Sequence, residues 1–237
     1  MADALLAETA GNRTSTPQRI LDAAERLFAE KGFAGTSLRE VTALAGVNVA
    51  AVHYHFGSKD ELLRAVLSRI VEPVNRERLE LLERAEADAA PRPPPIEAIL
   101  EAFIAPDLRV IRDLGERGAV ITRFIGRSYT EPTELVRRMV AEQFGELGLR
   151  FHRALCRAVP DVPPQELYWR LMAVVGVITY MLATTSEGER GQLLEPDDVE
   201  GTLQRMVTFL APGLVAPAPR RKGPSRRHVQ SPAREPR

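Results

Sequence analysis

The sequence predicts an all-α protein, with a compact three-helix head at the N-terminal end and a larger helical bundle behind it. Three observations carry that prediction. Apolar residues recur at helical spacing along almost the whole chain, Ser-x-x-Glu capping boxes and glycine stops punctuate the pattern, and no alternating strand pattern competes. The chain has 237 residues, 44% apolar and 27% charged, which is enough for a sizeable buried core.

Each element follows in order. Ile20, Leu21, Ala24, Leu27 and Phe28 form one stripe of a first helix, with Thr16 and Pro17 as N-cap and first-turn proline and Gly32 as the stop. Leu38, Val41 and Leu44 mark a short second helix, opened by the Ser37/Glu40 box and ended by Gly46. Asn48 opens a third, about Val49 to His55, and a Ser58/Glu61 box opens a long fourth with a kink or break expected at Pro73. A stiff Pro-rich loop at 89–95 follows. Later helices are expected at about Ile96–Leu114 (broken at Pro106), Glu116–Tyr129, Pro132–Val159, Pro164–Thr185 and Pro196–Ala211.

Between the second and third helices stands Ala45-Gly46-Val47, too short a link to let them run antiparallel. They must cross steeply, with Gly46 taking the positive φ of the turn, which is the helix-turn-helix arrangement. Val47, Val52 and Phe56 pin the third helix inward, while Ala50, His53 and Tyr54 share one outward arc of about 100°. A helix about 10–12 Å across fits the roughly 12 Å major groove of DNA.

The run Ile20-Leu21-Asp22-Ala23-Ala24-Glu25-Arg26-Leu27-Phe28, then Lys31-Gly32-Phe33 and Thr36-Ser37-Leu38, resembles the first helix and turn of TetR-type repressors. Ala45-Gly46-Val47 and the stretch His53 to Leu62 resemble the family's recognition helix and the cap after it. The resemblance covers about Pro17 to Ala65. It implies a DNA-binding head, a larger C-terminal half that binds a small molecule and dimerises, and a role as a transcriptional repressor on a near-palindromic operator. The implied divisions are an arm at 1–15, the head at 16–62, a ligand-binding and dimerisation domain at 63–212 and a basic tail at 213–237.

The resemblance also implies roles. Ser37 and Arg39 sit where the family's second helix approaches DNA; Tyr54, His55 and Lys59 match backbone-contacting positions; Asn48, Val49, Ala50, Ala51 and His53 start or line the helix that faces base edges. The sequence departs from the commoner pattern here, because Val49, Ala50 and Ala51 can only touch thymine methyls, leaving His53 and Arg39 as polar readers. Amides near Ser58 would add a phosphate site at a helix start.

In the C-terminal half, Leu171 to Ile178 is apolar on every side and must be covered on every side. With the stripe Val199, Leu203, Met206, Val207 and Leu210 it is expected to form a four-helix homodimer interface through 164–185 and 196–211; the alternative is that both helices are internal core. For an effector cavity the candidates are Phe103, Ile121, Phe124, Phe144, Phe151 and Trp169, with Arg123 and Arg127 spaced to hold an anionic headgroup or else solvated or paired. Some regulators similar to this one respond to fatty acids, so an apolar or lipid-like effector is the expectation.

Composition limits the other classes. Lys plus Arg and Asp plus Glu both number 32, which excludes a protein holding DNA by bulk charge; residues 1–64 carry seven basic side chains against eight acids, whereas 217–237 carry seven against one. That basic, Pro-rich tail is expected to be disordered. Cys156 is the only cysteine, which rules out an intrachain disulfide and a Cys-based zinc site and suits a reducing cytoplasm. No apolar run reaches membrane-spanning length, and Met1 to Ala10 lacks the basic residues of an export signal. No phosphate loop, dinucleotide fingerprint or nucleophile elbow is present, so the expectation is no enzyme, no cofactor and no metal. His152 and Cys156, four apart on a helix, read as packing residues.

Overall fold

The computed structural model describes residues 15–114, 118, 120–121, 124–126, 134–184 and 198–219. Among these residues there is no strand, and the chain is an all-helical assembly. The head is α1 (Thr16–Lys31), α2 (Leu38–Ala45) and α3 (Val49–Phe56); α4 (Lys59–Ala89) leaves it, and α5 (Ile96–Leu114), α6 (Glu134–Ala158), α7 (Pro164–Thr184) and α8 (Val199–Val215) build the rest. The arm at 1–14, most of the basic tail, Arg123, Arg127 and Tyr129 lie outside the described residues.

Local chemistry sets the helix starts. Ser15, not Thr16, is the N-cap of α1: its backbone N–H and its hydroxyl both donate to Gln18 Oε1, at 3.0 and 2.8 Å. The Ser37/Glu40 box closes in both directions at α2. At α4 the Ser58 hydroxyl oxygen accepts from Glu61 N at 3.1 Å, while the Glu61 carboxylate turns to Arg64 instead of closing the box. The break expected at Pro73 is absent, and α4 is one helix of 31 residues. A proline removes one helical hydrogen bond, and here buried Val71 and Val74 hold the helix on either side of it. α5 likewise runs through Pro106, and α8 continues past Ala211 through Pro212 to bury Leu214.

Two apolar clusters form the core. The head cluster gathers Ile20, Phe28, Val41 and Val52, reaches along α4 to Val71, and takes in Ile121, Phe124, Val136 and Met139 from further along the chain. The second cluster is built from α5, α6, α7 and α8 with Leu82 of α4. Phe144 of α6 is half-buried between them and touches both.

The α8 stripe expected at a dimer interface is turned inward instead. Leu203, Met206, Val207 and Leu210 are buried, and α8 packs mainly on α5. α7 supplies the reason, since it offers only one face to the core: Leu167, Leu171, Val174 and Ile178 point in, and α8 must cover α5. Buried Arg170 on α7 then ties the two last helices, its Nη1 donating to the carbonyls of Leu214 at 2.9 Å and Ala216 at 2.6 Å at the α8 C-terminus.

Candidate nucleic-acid interface and ligand cavity

The head presents α3 outward because its neighbours are clamped beneath it. Gly46 takes φ +63° in the turn, and a Cβ there would lie 2.8 Å from Arg19 Nη2. That guanidinium donates to the carbonyls of Ala45 and Gly46, at 2.5 and 2.8 Å, and so pins the turn to α1. Sequence reasoning missed Arg19, although a basic residue on the exposed side of α1 facing a two-carbonyl turn is the signal that marks it.

On α3, Val52 is fully buried and Phe56 and Ala51 are half-buried, while Asn48, Val49, Ala50, His53, Tyr54 and His55 are exposed. Tyr54 is 85% exposed, with the His55 ring edge-on at 5.0 Å. Asn48 is committed to the helix as its N-cap, its Oδ1 accepting from Ala51 N at 2.9 Å. His53 Nδ1 lies 2.8 Å from the Gly57 carbonyl, which can only accept, so Nδ1 carries the hydrogen and Nε2 is left uncommitted.

The flanking residues are placed less freely. The Ser37 hydroxyl caps α2, and Arg39 beside it is exposed. Lys59 is half-buried: its ammonium donates to the Phe33 carbonyl at 2.5 Å and sits 4.2 Å above the Phe33 ring, and burial pushes its pKa down. One of its three N–H groups is thereby used. The first turn of α4 also carries Asp60 and Glu61, which offset the positive end of that helix.

A cavity of about 740 Å³ lies where the two apolar clusters meet. α4 contributes Ile70, Val71, Val74 and Arg78; α5 contributes Phe103, Asp107 and Val110; α6 contributes Phe144 and its neighbours; α7 contributes Tyr168, Leu171, Met172 and Val175. Of the sequence candidates, Phe103, Ile121 and Phe144 line it. Phe151 does not, being sealed in the second core with its ring edge-on to Phe103 at 4.9 Å. Phe124 belongs to the head core, its ring 6.5 Å from that of Phe28. Trp169 is 66% exposed on the outer face of α7, away from the cavity wall.

Sequence reasoning missed Arg78, Asn75 and Asp107. Arg78 and Asn75 fall on the buried stripe of α4 with Val71, Val74 and Leu82, and a polar residue inside an apolar stripe is the signal that would have found them. Burial pushes the Asp107 carboxyl above its ordinary value, and Arg78 beside it opposes that rise. In the His152–Cys156 pair the thiol sulfur lies 3.4 Å from Nε2. His152 Nε2 is taken up by the Pro164 carbonyl at 2.8 Å, and burial raises the Cys156 thiol.

Comparison with known proteins meets this geometry. Residues 20–66 match the family model described as bacterial regulatory proteins of the tetR family, and 101–213 match a tetracyclin repressor-like C-terminal domain. The probable HTH-type transcriptional regulator YttP of Bacillus subtilis is 29% identical over 129 residues, 54% of this chain and 58% of the relative. The chain thus spans a little over half the length of that curated relative. A transcriptional regulator from Rhodococcus sp. Rha1 superposes with a TM-score of 0.59 at 20% identity, covering 85% of this chain and 99% of that one. The SmeT–triclosan complex superposes at 0.54 with 25% identity, covering 85% and 90%.

Proposed function

Because the chain belongs to the TetR family of transcriptional regulators, we propose that it is a homodimeric repressor released from a near-palindromic operator by a small apolar effector. The observation that carries this reading is the outer face of α3, where Ala50, His53 and Tyr54 stand clear of a sealed Val52. In it, residues 16–62 act as the head and 63–212 as the effector and dimer domain. Val49 and Ala50 lie against thymine methyls; His53 and Arg39 read polar base edges; Tyr54, His55, Ser37 and Lys59 hold the phosphate backbone.

Dimerisation in this reading uses the outward face of α7. Trp169, Met172, Ala173, Gly176 and Tyr180 recur there at helical spacing, all exposed, and Phe209 of α8 is exposed as well. Ala173 and Gly176 let a second helix approach closely. Tyr168 and Met172 also line the cavity, so a partner seated on this face would cover that side of it.

Effector control is supported by the cavity, since a regulator that only dimerised would have no use for 740 Å³ of apolar space at the seam between its cores. SmeT, solved with triclosan, gives a neighbour of the same fold with a small molecule bound. Effector binding would favour a spacing of the two heads unsuited to the operator, and a coupling of about 1–3 kcal/mol would weaken DNA binding about 5–150-fold.

The test is fluorescence anisotropy with duplexes from the protein's own promoter region at low salt. Tyr54→Ala should weaken binding with little change in sequence preference, and His53→Ala should relax discrimination at one base pair by about 1–3 kcal/mol. Unchanged binding by both variants would remove α3 as the docking face.

A further inference from the structure

The polar part of the cavity wall restricts what can occupy it. Arg78 is 4% exposed and donates from Nε to the Phe103 carbonyl at 2.8 Å, from Nη1 to Asn75 Oδ1 at 2.9 Å and from Nη2 to Asp107. Its guanidinium carbon lies 4.7 Å from the centre of the Phe103 ring. Asn75 in turn donates to the Gln143 carbonyl at 3.1 Å, so the group is fixed from three helices. The charges of Arg78 and Asp107 cancel. The other described cation on the wall, Arg137, sits 2.7 Å from Glu134 at the surface. No described wall residue therefore offers an uncompensated positive charge.

Asp107 has a second carboxylate oxygen. Oδ2 takes Arg78, whereas Oδ1 accepts no hydrogen bond among the described residues, and Asp107 forms part of the cavity wall. We infer that the effector is an uncharged, largely apolar molecule carrying a hydrogen-bond donor, a hydroxyl or N–H, that engages the free oxygen of Asp107. This rests on the reading of the cavity as the effector site. A carboxylate would meet the charge of Asp107 with no uncompensated cation among the described wall residues to answer it. A cation would bring a second positive charge beside Arg78 against a largely apolar wall. A molecule without a donor would displace water from that oxygen and leave it buried and unpaired.

Isothermal titration of the full chain with decanol, decanoate and decylammonium tests this, because the three share one apolar body and differ in the head. Decanol should bind at least about tenfold tighter than either charged analogue. Asp107→Asn leaves Arg78 uncompensated and should turn the preference towards decanoate. Replacing the pair together, Arg78→Met with Asp107→Leu, keeps the volume apolar and should bind the apolar body with the head-group preference gone. Decanoate binding tightest to the unaltered protein, or equal binding of all three, overturns the inference and leaves the effector-site reading standing. Binding of none overturns both. The three titrations of the unaltered protein decide the matter even where a variant fails to fold.

Discussion

Arg64 of α4 donates to Glu142 of α6 at 2.5 Å, joining residues 78 apart in sequence. The next residue, Gln143, donates to Ser68 Oγ at 3.0 Å, so one turn of α6 grips α4 just below the head. The same turn carries Ala141, Phe144 and Gly145 on the cavity wall. Cavity contents and head position therefore bear on one short piece of helix.

Arg64→Ala and Glu142→Gln should each leave fold stability nearly unchanged, because the pair is exposed to solvent. Operator affinity without effector should also hold. The fold-change in operator affinity that effector produces should shrink in both, measured by anisotropy with and without the cavity ligand. An undiminished response would show that the grip on α4 plays no part in signalling.

Asn48 separates a structural role from a DNA contact. Asn48→Ala removes the α3 cap and should cost about 1 kcal/mol in urea denaturation. Asn48→Asp keeps an oxygen for Ala51 N and should hold that stability, yet weaken operator binding by setting a negative charge towards phosphates. Equal operator affinity for Asn48→Asp and the unaltered protein would place Asn48 away from the duplex.

Acid should loosen the head through Glu40. Its carboxylate lies 2.6 Å from Lys31 Nζ and accepts from Ser37, and these bonds hold its pKa at about 2 against an ordinary 4.5. A folded value below the unfolded one stabilises above about 4.5, and that contribution is lost as pH falls towards about 2. The denaturation midpoint of the unaltered protein should fall across that window more steeply than that of Glu40→Gln. Parallel profiles would remove Glu40 from the acid response.

Gly176 tests the dimer face. A side chain there meets open space in the single chain, and the position is helical, so Gly176→Arg should not destabilise the protomer. It should block close approach of a second α7, giving a monomer by sedimentation and a sharp loss of operator affinity. A Gly176→Arg protein that still sediments as a dimer would place the interface elsewhere.

The starts of α2 and α3 were legible because capping is local chemistry: Ser37 with Glu40, Asn48 before Val49 and Gly46 in its turn could be read without knowing any neighbour. The outward arc of α3 was legible for the same reason. The cavity was not. Spacing says that Phe103, Phe144 and Phe151 face inward, but whether space is left beside a ring depends on how separate helices cross, and Phe151 proved sealed where the other two were not. The stripe on α8 failed similarly, since an apolar face cannot declare whether α5 or a second chain covers it. At Pro73 the break did not form, because packing around Val71 and Val74 holds the helix together.

The unbroken α4 has a mechanical consequence. Arg78 stands 19 residues beyond Lys59, about 28 Å along the axis at 1.5 Å per residue. Pivoting such a rod by about 5° at the Arg78 end would sweep its tip by about 2.5 Å, and mirrored motion in a twin would alter the gap between tips by about 5 Å. Against a helical repeat of about 34 Å, that is enough to slide one helix out of register with its groove.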